Sequence, residues 1–498
     1  MAKWGMKSWR YDKNGNAYLA PINGSDDERC PGEPEEDVIT NYLIHNRYHW
    51  RLRSLFQNNG GTIVDRVMVT DLIQQDGHTA GAIGFSPDDD DTYIFQAKAI
   101  VLAAGNGGIK NCGIRTNTTT GDAQAMAYRL GCAVTGKEWA DQHGSRGDFP
   151  AYPWTGNDRN PYYNKNDETC KTLADHLPMY NIEGKKIDST RPNLKEFHPL
   201  PFNAIAMAYE AHCGRGPLFY KVDGNPDTAP MNHNPSNEPR DEIDEQAMEQ
   251  GMVRMSMGRA MGQSYHLSDG VWSDGTDCET QIPGLYAAGD CLGARSGYPM
   301  AGFAAAFCAV SGARAGTNAA GFAKASGDFT LPGEEVQRLK NILWAPKKRK
   351  GGFTPKWALQ VIQNTVTPYW VLLYKREDRL QSALNTIEFL RDHVIPQLTA
   401  NDNHELRLAH ELRNIILHME MKLKVSMFRK ESRWYHYRED YPLRDDENWL
   451  CWIKVQEVDG EMTMIKVPVP EKWRPDPSKP YAERYPVAFP NEPALLPD

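Results

Sequence analysis

Three stretches of the chain carry residue types that could hold a nucleotide. The first, Ile282 to Gly316, reads IPGLYAAGDCLGARSGYPMAGFAAAFCAVSGARAG. A short buried strand (Leu285, Tyr286, Ala287, Ala288) runs into Gly289-Asp290, a Gly-rich loop, and a run of Ala, Gly and Phe that includes Ala304 and Ala305. Small residues let a helix lie close to a sheet and let backbone N–H groups approach a bound anion. The carboxylate of Asp290 suits a ribityl or ribose hydroxyl. The second stretch, AIVLAAGNGG at Ala99 to Gly108, repeats the design with a strand that ends in Ala103-Ala104-Gly105. Two strands ending in small residues suit a nucleotide wedged against strand ends in an α/β sheet. In the third, Thr118, Thr119, Thr120, Gly121 and Asp122 precede an amphipathic segment, Ala125 to Leu130, closed by Gly131. Locally this is a helix N-cap, with Thr and Asp accepting the first N–H groups.

The elements around these stretches follow from pattern. Val38 to Asn58 reads as a helix ended by Asn59-Gly60-Gly61. Val64, Val67 and Val69, then Leu72 and Ile73, alternate up to the turn Asp76-Gly77, and Ala80, Ala82 and Ile83 continue as a hairpin or meander. Tyr93 to Leu102 returns as strand and delivers Ala103-Ala104-Gly105. Phe202 to Ala211 is helical, and CGRGPLFYKVDG gives a turn and a strand in which Arg215 is expected to bond backbone. Asp241 to Met261 reads as a Met-rich core helix. Ser326 to Thr354 reads as a linker with a basic patch at Lys347 to Lys350. Trp357 to Met427 reads as three helices, the last with Leu406, Leu412, Ile415, Met419 and Leu423 on one face and charges on the other.

Composition bounds the function. At 498 residues the chain should hold two or more domains. A net charge of −9 argues against a general nucleic-acid binder. No run approaches the roughly 18 apolar residues of a membrane helix, and the polar first residues do not resemble a signal peptide. The nine cysteines show no C-x-x-C pair, hence no zinc or iron–sulfur signature, and imply reduced thiols in a cytoplasmic protein. The acidic run Asp88 to Asp91 reads as a solvated turn, so no metal centre is expected.

The order strand-Ala-Gly, TTGD, MAYRxG and Glu138-Trp139-x-x-Gln142-His143, with GLYAAGD downstream, resembles the fumarate reductase/succinate dehydrogenase flavoprotein family. ESRWYHYREDYPLRDDENW near the C-terminus resembles its E-S-R-x-x-H-x-R-x-D-x-P signature. The resemblance implies an α/β protein, α+β overall: a Rossmann-like FAD-binding domain, incomplete at its N-terminus, with an inserted capping domain and a C-terminal helical bundle. It divides the chain into a first FAD-binding part (1–142), a cap (143–265), a second FAD-binding part (266–325), a helical domain (326–435) and an extension (436–498). It assigns FAD contacts to Ala103, Ala104, Gly105, Thr120, Gly121, Asp122, Gly289, Asp290, Ala304 and Ala305. His143 falls where the family carries a substrate-facing histidine, and His266 resembles the one ahead of its Gly-Gly-Ile turn, with Tyr265 competing for the role. Arg295 is the arginine of the loop after Asp290. These residues would bind an anionic substrate or pass protons. Arg433, Arg438, Glu439, Asp440 and Arg444 are expected to form a salt-bridge web tying the bundle to the FAD domain.

The chain departs from the family pattern in two ways. G-x-G-x-x-G, the unit that binds the pyrophosphate, occurs nowhere, so the chain resembles a member whose first part is missing or carried on another polypeptide. The substrate arginines are also displaced: the loop reads G-A-R-S-G-Y-P-M-A-G, and HPLPFNAIAMAY holds no arginine. That weakens a C4-dicarboxylate substrate, while GLYAAGD and GVWSDG sit nearer the adenylylsulfate reductase alpha-type branch. Such a branch implies, as partner, a small ferredoxin-like iron–sulfur subunit, since a flavin exchanging single electrons needs one. The reading is thus a FAD-dependent oxidoreductase acting on a small anionic substrate. Its rival is a non-catalytic remnant. An oligomer is compatible with either.

Overall fold

The structure, a computed structural model, describes residues 48–110, 119–139, 179–187, 269–293 and 303–485. Shorter pieces are described at 10–11, 17–18, 205–206, 208–210, 212–216, 218–221, 246, 249–250, 252–255, 488–489 and 492–496. Helix α1 (Tyr48–Asn58) ends where Gly60 turns into the left-handed region, and the earlier part of the helix expected from Val38 lies outside the described residues. Strands β1 (Met68–Gln75), β2 (His78–Phe85) and β3 (Thr92–Gln96) form the expected antiparallel meander. Asp76 and Gly77 both take positive φ, 48° and 80°, as a two-residue hairpin turn between right-twisted strands requires.

The expected continuous strand Tyr93–Leu102 is instead two. β3 stays in the meander, and after the break at Ala97–Ala99 a separate strand β4 (Ile100–Leu102) joins another sheet. Helix α2 (Asp122–Arg129) follows and gives way, after Gly131, to β5 (Val134–Thr135). Residues 205–206, 208–210 and 212 are helical, and β6 (Leu218–Lys221) pairs antiparallel with β7 (Met252–Met255). The Met-rich helix expected through Met261 is therefore wrong at β7: Met252-Val253-Arg254-Met255 alternates like a strand and finds the LFYK edge opposite it. Arg215 was expected to bond backbone; its guanidinium instead holds Glu210 in a bidentate pair at 2.6 and 2.8 Å.

Two short strands, β8 (Gly270–Val271) and β9 (Leu285–Ala287), lead to helix α3 (Phe303–Ala325). The expected linker contains helix α4 (Gly333–Lys348): Glu334 and Glu335 open it and Lys347 and Lys348 close it, complementing its dipole, while Leu339 and Leu343 bury against β1 and β2. Helices α5 (Pro355–Val366), α6 (Glu377–Phe389) and α7 (Asn403–Phe428) form the bundle, its core built from Ile362, Val366, Leu384, Ile387, Leu412, Ile415 and Met419. Asp402 caps α7 by accepting the Glu405 N–H at 2.8 Å. Strands β10 (Cys451–Val458) and β11 (Glu461–Pro468) complete a four-stranded sheet in the order β8-β5-β10-β11.

The expected salt-bridge web exists, but it closes within the C-terminal part. Arg433 meets Glu431 and Asp446, Arg438 meets Glu377 and Asp440, Arg379 meets Glu439, and Arg444 meets Glu492. One tie to the rest of the molecule is Arg429, fully buried, which donates to Glu138 at 2.9 Å, Glu431 at 2.7 Å and the carbonyls of Trp449 and Cys451. Removing one partner of a buried pair strands the other charge. Arg429→Met should therefore lower the unfolding free energy by about 3–5 kcal/mol in a urea titration, whereas Arg338→Met, which breaks an exposed pair with Glu335, should change it by less than about 1 kcal/mol.

Candidate functional site

The strand ends meet as their composition requires. β4 and β9 pair in parallel, Ile100 with Leu285, Val101 with Tyr286 and Leu102 with Ala287, and the Ala288 N–H donates to the Leu102 carbonyl at 2.9 Å. Both strands thus finish at one end, where Ala103-Ala104-Gly105 and Gly289-Asp290 leave side by side. Leu102, Ala287 and Ala288 are buried, while Ala103 and Ala104 are exposed. Gly105 and Gly289 turn with φ of 77° and 63°. The Gly289 N–H donates to Ser311 Oγ on α3 at 2.9 Å, and a β-carbon on Gly289 would fall 3.1 Å from Cys308 Sγ. The Cys291 thiol next to Asp290 is fully buried near the Ala104 backbone and is pushed up to about 12 by burial, which keeps it protonated.

The TTGD loop closes against the same end. A β-carbon on Gly105 would lie 3.7 Å from Thr119 Cγ2. The expected side-chain N-cap is absent: Gly121 is the cap residue, left-handed at φ 69° with no side-chain bond to the helix. Thr120 Oγ1 donates instead to Asp122 Oδ1 at 2.8 Å, and Asn414 Nδ2 on α7 donates to the same oxygen at 2.6 Å. Asp122 Oδ2 accepts nothing from the described residues.

Behind the loop lies a buried charge cluster that pattern reading missed. Lys137, just after β5, is fully buried and donates to Asp269 Oδ2 at 2.8 Å and to Gln124. It lies 3.2 Å from His418 Nδ1, and His418 Nε2 lies 2.9 Å from the Gly121 carbonyl. Burial pushes the Asp269 carboxyl up while Lys137 pulls it back. Burial and then Lys137 hold His418 well below the ordinary histidine range. Lys375 donates to the Glu138 carbonyl at 2.8 Å and Lys422 to the Trp139 carbonyl at 3.0 Å, so two buried lysines grip the backbone shortly before His143. Burial lowers Lys375 well below the usual lysine range and Lys422 to about 7. Glu138 spends Oε1 on Arg429, and its buried Oε2 has no hydrogen-bond partner among the described residues.

The charges of α7 were expected on the face opposite its apolar row. A polar row there is buried: His410, Asn414, His418, Lys422 and Ser426 recur every four residues, and all are less than a tenth exposed. A polar row at helical spacing opposite an apolar row was the available signal. Ala304 and Ala305 lie in the first turn of α3, at the end of the chain's Gly-rich loop. His143, His266 and Arg295 lie outside the described residues.

The cradle suits a flavin nucleotide. Two exposed alanines and an open glycine leave room against the strand ends, and the half-satisfied Asp122 carboxylate presents one oxygen to a hydroxyl. Such a group would supply hydride or electron acceptance at its ring when bound.

Comparison with known proteins bears on the family and the cofactor. A model described as "FAD binding domain" matches residues 12–141, and one described as "Fumarate reductase flavoprotein C-term" matches 361–481. Together they take in about half of the chain. The first subunit of the CoM/CoB fumarate reductase of Methanothermobacter marburgensis is 26% identical over 399 residues, 76% of this chain and 68% of that one. The mitochondrial succinate dehydrogenase flavoprotein subunit of Oryza sativa subsp. japonica is 22% identical over 475 residues, 90% of this chain and 69% of that one. The solved structure of adenylylsulfate reductase from Archaeoglobus fulgidus superposes with a TM-score of 0.67 at 20% identity, covering 94% of this chain and 80% of that one.

Two measurements check the geometry. Gly121→Ala forces a left-handed residue to carry a β-carbon that falls on the His418 ring, and should cost about 2–4 kcal/mol in a urea titration. Lys422, near 7 when folded, regains its proton in the unfolded chain up to about pH 10. The unfolded state therefore binds the extra proton between these values, and stability rises with pH; Lys375 acts in the same direction. Unfolding free energy should climb from about pH 7 to about pH 9, and Lys422→Met should reduce that climb by up to about 1.4 kcal/mol per pH unit.

Proposed function

The chain belongs to the fumarate reductase/succinate dehydrogenase flavoprotein family and is a FAD-dependent oxidoreductase, and from that premise we propose that it moves hydride or electrons between a small anionic substrate and a separate electron-transfer partner. The observation that carries the reading is the convergence of Ala103–Gly105, Thr120–Asp122 and Gly289–Asp290 at one end of the β4–β9 pair. In this reading Asp122 accepts a cofactor hydroxyl through Oδ2, Asp290 takes a second, and the alanines let the cofactor lie against the backbone. Ala304 and Ala305, in the first turn of α3, are proposed to join them.

His143, His266 and Arg295 are the proposed substrate groups, reached through the family resemblance. An imidazole near neutral pH can bind an anion or exchange a proton, and a guanidinium can clamp a carboxylate or sulfo group. Lys375 and Lys422, buried and bonded to the carbonyls of Glu138 and Trp139, fix the backbone that leads toward His143 in the sequence. The chain holds no C-x-x-C from which to build its own cluster, so the partner proposed is a small ferredoxin-like iron–sulfur subunit. A cap over 143–265, FAD-binding parts at 1–142 and 266–325, a helical domain at 326–435 and an extension from 436 complete the proposal. A second reading, an adenylylsulfate-reductase-like flavoprotein subunit, draws on GLYAAGD and GVWSDG and on the fold likeness to the archaeal enzyme.

Denaturing the purified chain should release a yellow, fluorescent flavin. A colourless protein that also takes up no added FAD sinks the proposal and leaves the non-catalytic remnant. Asp122→Ala and Asp290→Ala should each weaken FAD binding roughly 10- to 100-fold, the loss of one hydrogen bond to a charged group. His143→Ala should keep its flavin and lose turnover with reduced dye as donor; undiminished turnover removes His143 from the mechanism.

A further inference from the structure

We infer that Asn414 and His418 of α7 are positioning residues that aim the Thr120–Asp122 loop at the cofactor, each held in one orientation by an obligate donor behind it. The inference rests on the proposal that this loop faces FAD, and it concerns residues of the helical bundle that no cofactor would touch.

Two directional chains carry it. Arg129 Nη1 donates to Asn414 Oδ1 at 2.8 Å. A guanidinium has no acceptor, so Asn414 must turn its oxygen to Arg129 and its NH2 to Asp122, which it reaches at 2.6 Å. Arg129 is itself fixed by Asp71 Oδ1 at 3.2 Å and the Thr70 carbonyl at 2.9 Å, and Arg413 steadies Asp71 from α7. The second chain begins at Lys137, anchored on Asp269 and Gln124. An ammonium is likewise donor-only, so His418 Nδ1 must present its lone pair, and the proton must sit on Nε2. That Nε2–H then donates to the Gly121 carbonyl, which also accepts the first helical bond of α2 from the Ala125 N–H at 3.0 Å.

Consecutive residues of the loop are thus fixed from behind. The Gly121 peptide is locked with its carbonyl toward α7, and the Asp122 carboxylate is locked by one oxygen while the other accepts nothing from the described residues. Packing alone does not explain the pair. Both positions are almost fully buried, where leucine would fill similar space without the desolvation cost of an amide or an imidazole.

The test titrates FAD into flavin-stripped full-length chain and follows the fluorescence and visible band shape of the flavin, with the thermal midpoint of the stripped chain measured in parallel. Asn414→Leu and His418→Leu should weaken FAD binding roughly tenfold or more, and the visible band should shift. His418→Gln, whose amide N–H reaches where Nε2 does, should bind within about threefold of wild type. Asn414→Asp keeps the shape but faces Asp122 with a second carboxylate, and should bind as poorly as Asn414→Leu. If the leucine variants do not fold, the near-isosteric pair decides: Asp must lose flavin and Gln must keep it. Unchanged affinity and spectrum in the folded variants, or equal loss in His418→Gln and His418→Leu, overturns the inference while leaving the flavin reading standing. A wild-type chain that takes no FAD defeats both.

Discussion

Moving a charge out of water costs several kcal/mol unless an opposite charge and a full set of hydrogen bonds receive it. This molecule is assembled under that constraint. Lys137 and Arg429 are fully buried, and each finds its carboxylate on a segment far away in the chain: Lys137 on Asp269, and Arg429 on Glu138. Neither partner is tolerable alone, so the stretch 134–139, the strand after Asp269 and the end of α7 must assemble together or not at all. The apolar clusters lie on either side of this junction, one around β4, β9 and α3 and one within the bundle. Hydrophobic burial supplies the bulk driving force without choosing a register between them. The charge pairs, being directional, choose it.

The same constraint explains why so short a parallel pair can carry a site. β4 and β9 have three residues each, and an isolated pair of that size has little stability of its own. Their ends are held instead by what surrounds them: Ser311 on the Gly289 amide, Thr119 against Gly105, and α7 against the Thr120–Asp122 loop. Fixing donors and acceptors before a ligand arrives reduces the reorganisation that binding would otherwise demand.

Much of this was legible in the sequence, and the failures have physical causes. The two strands ending in Ala-Gly, the Asp76-Gly77 hairpin and the three apolar helices each carry a strong local pattern, and all are present. The Met-rich segment failed because methionine fits helix and strand equally well, and the choice fell to an edge offered by Leu218–Lys221, some thirty residues upstream. The linker failed because Gly and Pro at its start masked the Glu-to-Lys polarity of α4. The side-chain N-cap expected within Thr118–Asp122 failed because the cap position fell on Gly121, while Thr120 and Asp122 bonded each other and Asn414. The buried polar row of α7 was visible as spacing but not as burial, since one helix cannot reveal that both of its faces are covered.

That double coverage gives the bundle a role beyond packing. One side of the C-terminal segment fixes the loop proposed to meet the cofactor. Another side receives the helical residues 205–206, 208–210 and 212: Ile205 and Ala208 pack with Leu372, Tyr374 and Tyr437, and His212 lies over Tyr374, 3.7 Å from Glu439. If those residues belong to a cap, cofactor wall and cap are referenced to one rigid frame rather than to each other. Hydride and electron transfer depend steeply on the separation of the reacting groups, and closure over them must repeat to within a fraction of an ångström. A frame cross-linked by buried charge pairs such as Lys137–Asp269 and Arg429–Glu431 is stiff enough to provide that. The β4–β9 pair alone, two strands of three residues, is not.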